Sequence, residues 1–293
     1  MLRFATGPET IKLGDLHVRR LGFGAMRLPG PDVWGAPADR SAAHAVLHRA
    51  IELGINLIDT AWYYGPHVAN RLIVEALHPY PSDLVIATKL GGRRLPDKGW
   101  APYLRPDELR EGAEEDLRGL KLEQLPVVHL RWIDQPDVGF AEALDALIAL
   151  QHEGKIRHLA LSNVSAEQLA YALTRTPIVA VQNMFNVGGS GGPIPVADRP
   201  EAVLAACEAK GIAFLPFFPL AIGALTAGSG ALAAAAKRHN CTPAQLALAW
   251  LLARSPVMLP IPGTAKVAHL EENMAAVRVV LDSTAVADLA PNR

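Results

Sequence analysis

The sequence predicts a (β/α)8 barrel, an α/β fold in which eight parallel strands alternate with helices. Eight short apolar segments have the length and the bounded character of buried strands. A helical pattern of apolar residues lies between successive strand candidates. This alternation predicts parallel strands joined by right-handed crossovers, and eight such units close naturally into a barrel.

The predicted elements follow an N-terminal β-hairpin, formed by residues 9–13 and 17–21 around the turn Gly14-Asp15. The strand candidates are residues 21–26, 56–59, 84–89, 126–129, 158–162, 178–182, 213–217 and 258–261. The helix candidates are residues 42–53, 68–78, 106–119, 139–152, 165–174, 197–210, 242–253 and 266–276, with a further short helix in the alanine-rich run 231–236. Thr242-Pro243 illustrates the start signals, since a capping residue precedes proline at the first helical position.

An open doubly wound sheet that binds a dinucleotide is the main alternative fold. Its first strand would lead into the sequence G-x-G-x-x-G and then directly into a helix. The segment Gly22-Phe23-Gly24-Ala25-Met26-Arg27 lacks the third glycine and is not followed at once by a helix. The sequence therefore favours the barrel, and we expect residues 1–293 to form a single domain.

Composition excludes several functional classes. The net charge of −1 and the scattered Lys and Arg residues make nucleic acid an unexpected partner. Cys207 and Cys241 form no CxxC motif, which indicates a reduced, cytoplasmic setting. No apolar stretch has the length of a signal peptide or a membrane span, so we expect no membrane partner. His44 and His48 lack the glutamate of HExxH, so no metal site is predicted.

Polar side chains follow the ends of three successive strands. Asp59 and Tyr64 follow the second strand, Lys89 ends the third and His129 ends the fourth. A barrel brings these strand ends to one rim, where catalytic side chains collect. An Asp59–Lys89 contact is expected whether the pair is structural or catalytic, because a buried charge needs a partner. A cation beside a tyrosine lowers the pKa of the phenol, which favours Tyr64 as a proton donor.

With these residues the sequence resembles the aldo-keto reductases, and the resemblance extends over nearly the whole chain. The family pattern D-T-A-x-x-Y-G matches residues 59–65, its T-K matches Thr88-Lys89, and its fourth-strand histidine matches His129. The resemblance implies reduction of an aldehyde or ketone with NAD(P)H, with Tyr64 as general acid. Its catalytic set is Asp59, Tyr64, Lys89 and His129. The spacing selects Tyr64 over the neighbouring Tyr63.

The resemblance also assigns a cofactor site, for NADPH with NADH as a second possibility. Its residues are Gly24, Ala25, Met26, Asp59, Ser162, Asn163, Gln182, Phe185, Phe217, Phe218, Pro219, Leu220, Gly263, Thr264, Lys266, His269, Glu272 and Asn273. Phe185 stands where we expect the family's stacking tyrosine, so stacking on the nicotinamide should survive. His269 replaces an arginine and Gly263 a lysine, which leaves Thr264, Lys266 and His269 for the 2′-phosphate.

Within the family, the sequence is most similar to the bacterial pyridoxal reductase-like branch, as in Tyr64-Gly65-Pro66-His67 and Val181-Gln182-Asn183. The expected substrate is a small-molecule carbonyl compound. The two candidates are pyridoxal and a bulky carbonyl compound of specialised metabolism. Pocket walls are predicted at Trp34, Trp62, Trp100 and Trp132, the first and third of them in the long loops 27–40 and 91–105. We expect a monomer or weak homo-oligomer.

Two alternatives from other classes remain. A regulatory protein that senses redox state could retain the nicotinamide site and turn over test aldehydes very little. A barrel hydrolase that depends on a metal would need clustered His and Asp residues at the strand ends, and only His129 fits that pattern.

Overall fold

The computed structural model describes residue 4 and residues 7–188, 200–221, 231–281 and 283–289, and it confirms the predicted barrel. An antiparallel hairpin of β1 (Thr10–Leu13) and β2 (Leu16–Arg19) opens the chain. The barrel strands are β3 (Phe23–Gly24), β4 (Leu57–Asp59), β5 (Val85–Arg94), β7 (Leu125–Arg131), β8 (Ile156–Ser162), β9 (Ile178–Gln182) and β10 (Ala213–Phe214). Each is parallel to the next in this order.

The predicted eighth strand closes the barrel as an extended segment rather than as a regular strand. Phe214 N donates to Val257 O and Leu259 N donates to Phe214 O, both at 2.8 Å. On the other side, Gly22 N donates to Pro260 O at 2.9 Å. Proline has no N–H, so a chain with prolines at 260 and 262 offers only carbonyls at those positions and cannot form a full ladder.

The N-terminal hairpin fills the end of the barrel opposite the site. Leu13 and Val18 are fully buried and join a cluster inside the barrel with residues such as Leu57, Val127 and Leu259. Asp15 at the turn accepts a hydrogen bond from His158 Nε2 at 2.5 Å. The hairpin therefore supplies the apolar floor beneath the strands.

Helices surround the strands and bury their apolar faces against them. They are α1 (Arg40–Glu52), α2 (Val68–Leu77), α3 (Pro106–Leu120), α4 (Phe140–His152), α5 (Ala166–Arg175), α6 (Pro200–Lys210), α7 (Ala231–Arg238), α8 (Pro243–Arg254), α9 (Val267–Ala275) and α10 (Ser283–Asp288). The last was not predicted. Thr242 Oγ1 accepts from Gln245 N at 3.2 Å, as the start signal of α8 predicts. Among the described helices, none is both long and apolar enough to cross a membrane.

The predicted loop 91–105 is in part a β-hairpin, which corrects the sequence prediction. Strand β5 continues beyond the barrel to Arg94 and pairs antiparallel with β6 (Trp100–Tyr103). Arg94 fastens this hairpin to the loop 27–40 by donating to Val33 O at 2.8 Å and to Asp32 O at 2.9 Å. The two predicted substrate loops are thus tied to each other above the mouth of the barrel.

Candidate active site

Parallel register brings the polar strand ends together. Asp59 pairs with Ala87 across β4 and β5, and Lys89 pairs with His129 across β5 and β7. Lys89 Nζ donates to Asp59 Oδ2 at 2.5 Å, and the two side chains are only 4% and 5% exposed. The ammonium also donates to Thr60 O at 2.9 Å. The structure therefore contains the buried pair that the strand ends predict.

Asp59 is held on both of its oxygens. While Oδ2 accepts from Lys89, Oδ1 accepts from Gln182 Nε2 at 2.8 Å. Gln182 ends β9, on the far side of the barrel from β4. A carboxylate that accepts an ammonium hydrogen bond on one oxygen and an amide hydrogen bond on the other keeps one orientation, so Asp59 fixes the position of Lys89.

Tyr64 lies against this pair and is almost completely buried. Lys89 Nζ is 5.1 Å from the centre of the Tyr64 ring. Burial raises the pKa of Tyr64 above its ordinary value, Asp59 raises it further, and Arg131 acts in the opposite direction. The lowering of this pKa by Lys89 stays a prediction. Desolvation outweighs the neighbouring cation, and the phenol is protonated at neutral pH.

The structure also distinguishes the two adjacent tyrosines. Tyr64 lines the large cavity at the mouth of the barrel together with Asp59 and Gln182. Tyr63 is 3% exposed, and its ring packs at right angles to Tyr64 at 5.4 Å. Tyr64 is therefore the tyrosine that meets the cavity beside the Asp59–Lys89 pair.

His129 is fully buried and points one ring nitrogen at the backbone. Its Nδ1 lies 3.2 Å from Thr88 O, which accepts only, so the contact assigns a hydrogen to Nδ1. Burial lowers the pKa of His129 to about 4, which keeps the ring neutral at pH 7. Nε2 then carries a lone pair and has no partner among the described residues. Neither His129 nor Lys89 lines the cavity itself, so contact of Nε2 with a ligand hydroxyl stays a proposal.

A second polar layer supports the strand ends from behind. Asp116 on α3 accepts from Asn70 Nδ2 at 2.6 Å and from Thr88 Oγ1 at 2.7 Å. Asn70 Oδ1 in turn accepts from Thr60 Oγ1 at 2.8 Å. Burial raises the pKa of Asp116 to about 7 despite these hydrogen bonds. Because Thr60 and Thr88 supply the carbonyls that hold Lys89 and His129, this layer fixes both catalytic candidates.

The cavity has a volume of about 880 Å³ and collects most of the predicted cofactor residues. They are Gly24, Met26, Asp59, Gln182, Phe217, Phe218, Pro219, Leu220, Gly263, Thr264, Lys266, His269, Glu272 and Asn273. The helix α9 begins at its edge, and a helix N-terminus favours an anion. This volume is near the upper end of the range for ligand pockets, roughly 300–1,000 Å³.

An unpartnered amide oxygen at the end of β8 fits a nicotinamide. Asn163 donates through Nδ2 to Trp132 O at 3.1 Å, whereas its buried Oδ1 has no partner among the described residues. Asn163 has φ 60°, a left-handed conformation that asparagine tolerates. A buried acceptor without a partner calls for a donor from a ligand, and the amide of a carboxamide supplies one. Neither Asn163, Ser162 nor Ala25 lines the cavity itself.

Phe185 does not lie where its predicted role requires. Its ring is 4% exposed and stacks on Trp250 at 5.7 Å, inside the core outside the barrel. Phe217, three residues beyond β10, lines the cavity instead. The placement argues against stacking of Phe185 on a nicotinamide, because the ring is already packed between a core tryptophan and Phe214.

The four tryptophans predicted as pocket walls have different positions, and none lines the cavity. Trp132 is 5% exposed and packs on Phe140 at 5.4 Å, so it belongs to the core. Trp62 packs against the rings of Tyr63 and Tyr103. Its Nε1 lies close to Gly112, where a Cβ would be in tight contact with it. Trp100 is half exposed, at 6.5 Å from the Tyr64 ring. Trp34 lies beside Arg94, near Trp100.

The model of the aldo/keto reductase family matches residues 20–290. The chain belongs to that family. It is accordingly an oxidoreductase that uses a nicotinamide cofactor.

Individual relatives resemble this aldo-keto reductase over nearly their whole length. Pyridoxine 4-dehydrogenase of Escherichia coli (strain K12) is 45% identical over 286 residues, which cover 96% of this chain and 97% of that protein. An aldo-keto reductase of Klebsiella pneumoniae in complex with NADPH has a TM-score of 0.79 and 26% identity, covering 100% of this chain and 98% of the other. The glycerol dehydrogenase of Gluconobacter oxydans has a TM-score of 0.83 at 24% identity over 97% of both chains, a likeness of fold alone.

Three residues of this aldo-keto reductase were missed from the sequence. Asp116 falls on the buried face of α3 with Leu109, Ala113 and Leu120, so helical periodicity could have shown it. Arg131 lies two residues beyond His129 on β7. It is therefore on the same face of the strand, one step nearer the strand end, and strand alternation could have placed it. Arg27 lines the cavity near Gly263, and no sequence signal indicates it.

Proposed function

We propose that this enzyme reduces an aromatic aldehyde of the pyridoxal type to its alcohol with NADPH, with Tyr64 as general acid. The observation that carries the proposal is the position of Tyr64, which lines the cavity and lies against the buried Asp59–Lys89 pair. The 45% identity to a pyridoxine 4-dehydrogenase supports the substrate class. A bulky specialised-metabolite carbonyl is the second substrate candidate.

When bound, the nicotinamide supplies a hydride to the carbonyl carbon. The chain supplies the proton, from the neutral Tyr64 hydroxyl to the carbonyl oxygen as negative charge builds there. Lys89 stabilises the phenolate that remains, and Asp59 holds Lys89 in place. A neutral His129 with its hydrogen on Nδ1 accepts the hydrogen bond of the new hydroxyl through Nε2.

The cofactor is assigned to the cavity by the groups that line it. Phe217 replaces Phe185 as the proposed stacking ring, because Phe217 lines the cavity and Phe185 does not. Asn163 Oδ1 and Ser162 are proposed to hold the carboxamide. Arg27 and Lys266 are the cavity cations proposed for the phosphates, with Thr264 and His269 beside them. Use of NADH stays a prediction, as do the single domain over residues 1–293, the cytoplasmic location and the monomeric or weakly oligomeric state.

The two adjacent tyrosines provide the test. Oxidation of NADPH, and of NADH in parallel, is followed with pyridoxal and benzaldehyde for the wild type, Tyr64→Phe and Tyr63→Phe. Loss of the general acid is expected to reduce kcat by about 10²–10⁴-fold in Tyr64→Phe. Tyr63→Phe should retain kcat within a few-fold. Wild-type turnover by Tyr64→Phe would show that another group donates the proton.

A further inference from the structure

Arg131 is a cation beside the cavity, next to the lining residue Phe217. It ends β7 and is paired with Ser162 in the register of β7 and β8. Its Nη1 donates to Ser162 Oγ at 3.2 Å, and its guanidinium carbon lies 5.0 Å from the centre of the Phe217 ring. Ser162 and Phe217 both belong to the group assigned to the nicotinamide. The guanidinium is therefore next to the site of hydride transfer.

Arg131 also lies close enough to Tyr64 to affect its ionisation. Its positive charge opposes the burial that raises the pKa of Tyr64, and Tyr63 is influenced in the same direction. The reacting carbonyl oxygen is proposed to contact the Tyr64 hydroxyl. A substituent adjacent to that carbonyl consequently falls within the field of the guanidinium.

No acidic partner accounts for this cation. Within the described ranges, with their gaps at 189–199 and 222–230, the ion pairs do not include Arg131, and its one side-chain hydrogen bond goes to a neutral hydroxyl. Burial lowers the pKa of Arg131, so the guanidinium is partly desolvated without a counter-charge. Such a group is unfavourable unless a ligand supplies an anion. Arginine offers five N–H donors, and most of these are left for that anion.

We propose that Arg131 recognises an anionic oxygen on the substrate, adjacent to the carbonyl that is reduced. The substrate class is then a carbonyl compound with an acidic oxygen beside the reacting group, such as an aromatic aldehyde with an ionised ortho-hydroxyl or ortho-carboxylate. Pyridoxal has an acidic hydroxyl next to its aldehyde and fits this class. The inference rests on the proposed function, since it takes Tyr64 as the anchor of the carbonyl oxygen.

The cofactor phosphates are the competing anion. Two other cations, Arg27 and Lys266, line the cavity near Gly24 and Gly263, at the start of α9. A helix N-terminus adds its partial positive charge at that end. The phosphates thus have their own site of positive charge, whereas Arg131 contacts the residues assigned to the nicotinamide. This separation favours the substrate as the ligand of Arg131.

Matched pairs of aldehydes test the proposal. Steady-state kcat and KM are measured with 2-carboxybenzaldehyde against benzaldehyde, and with pyridoxal against its 3-O-methyl ether. The quantity compared is the ratio of kcat/KM for the anionic over the neutral member of each pair. Because a hydrogen bond to a charged group is lost, Arg131→Met is expected to reduce this ratio by about 10–100-fold, mainly through KM. Arg131→Lys, which retains the charge, should restore part of it.

Arg93→Met is the matched control. Arg93 is an exposed arginine on the same rim, with its guanidinium carbon 5.2 Å from the Tyr103 ring, and the ratio should not change. Equal losses for anionic and neutral aldehydes in Arg131→Met would overturn the proposal. A weaker NADPH affinity in a fluorescence titration, with the ratio unchanged, would assign Arg131 to a phosphate instead. If the wild type reduced none of these aldehydes, the proposed function itself would fail; turnover without an anion preference would remove only the role of Arg131.

Discussion

Two cations, Lys89 and Arg131, lie beside Tyr64. They differ in how many of their hydrogen-bond donors have an acceptor in the protein. Lys89 ends its barrel strand inside a closed set of acceptors, with Asp59 at 2.5 Å and Thr60 O at 2.9 Å. Arg131, on the neighbouring strand, has a hydroxyl and an aromatic face but no acid among the described residues. A cation with its acceptors in place serves the architecture of the site, whereas one with spare donors is suited to a ligand.

The surroundings of the two residues reinforce this difference. Behind Lys89, the layer of Thr60, Asn70, Asp116 and Thr88 forms a continuous chain of buried hydrogen bonds. Such networks hold one geometry because each broken contact leaves a buried polar group unsatisfied. Among the described residues, Arg131 is oriented by one hydrogen bond to Ser162 and by the face of the Phe217 ring. The Lys89 side of Tyr64 is therefore held by more polar contacts than the Arg131 side.

The largest effect on stability is expected from removing the cation of the Asp59–Lys89 pair. Lys89→Met leaves the Asp59 carboxylate buried without its cation, and we expect a loss of about 3–5 kcal/mol in the free energy of unfolding. Urea denaturation measures it, and NADPH oxidation should fall to background. Lys98→Met is the control, because the exposed Lys98–Asp32 contact at 3.4 Å contributes at most about 1 kcal/mol. Equal losses in both variants would contradict a special role for the buried pair.

Asp116, in the layer behind Lys89, is expected to make the stability of the protein depend on pH. The folded carboxyl holds its proton to about pH 7, whereas the unfolded chain releases it near pH 4. The folded state binds more protons over this interval, so this residue makes the protein less stable as the pH rises through it. Asp116→Asn should reduce the loss of stability between pH 4 and 7 by about 3 kcal/mol.

Urea denaturation at a series of pH values measures the Asp116 effect, with Asp107→Asn, a change at an exposed position of the same helix, as control. The kcat of Asp116→Asn should also lose pH dependence near neutrality, since the charge behind Lys89 no longer changes. An unaltered slope would mean that Asp116 is ionised throughout this range.

A smaller effect, on the affinity for NADPH, is expected from Phe217, whose ring lies against Arg131. If Phe217 stacks on the nicotinamide, Phe217→Leu should raise the Kd for NADPH by about 3–10-fold, the range of aromatic stacking. Phe185→Leu should instead lower the melting temperature with little change in Kd, because that ring packs on Trp250. Fluorescence titration and thermal denaturation of the two variants separate these roles. The opposite result would return the stacking role to Phe185.

The smallest effect is expected on the stability of the unpaired side. Arg131→Met removes a partly buried charge without stranding an acid, so the free energy of unfolding should change by less than about 1 kcal/mol or increase. The same denaturation experiment as for Lys89→Met measures it. A loss as large as that of Lys89→Met would reveal a structural counter-charge, and would make Arg131 a part of the scaffold.

Sequence patterns predicted the barrel because burial of parallel strands imposes long apolar runs and regular helix starts. They located the strand ends at Asp59, Lys89 and His129 for the same reason. They failed at the eighth strand, where Pro260 and Pro262 remove donors that the apolar pattern does not count. They also missed β6, because a hairpin over the mouth has no buried face to show in the pattern.

The sequence by itself predicted the order of the strands and the Asp59–Lys89 contact from local pattern. It predicted Tyr64 from its place in the family pattern of residues 59–65. Only the tertiary structure shows that Phe217 lines the cavity and Phe185 does not. Each ring follows a strand by three residues, and their directions beyond the strand end depend on packing. It also decided the ionisation of Tyr64 and Asp116, because desolvation is a property of the completed core. The lack of an acidic partner for Arg131 within the described residues likewise depends on which side chains the other strands place around it.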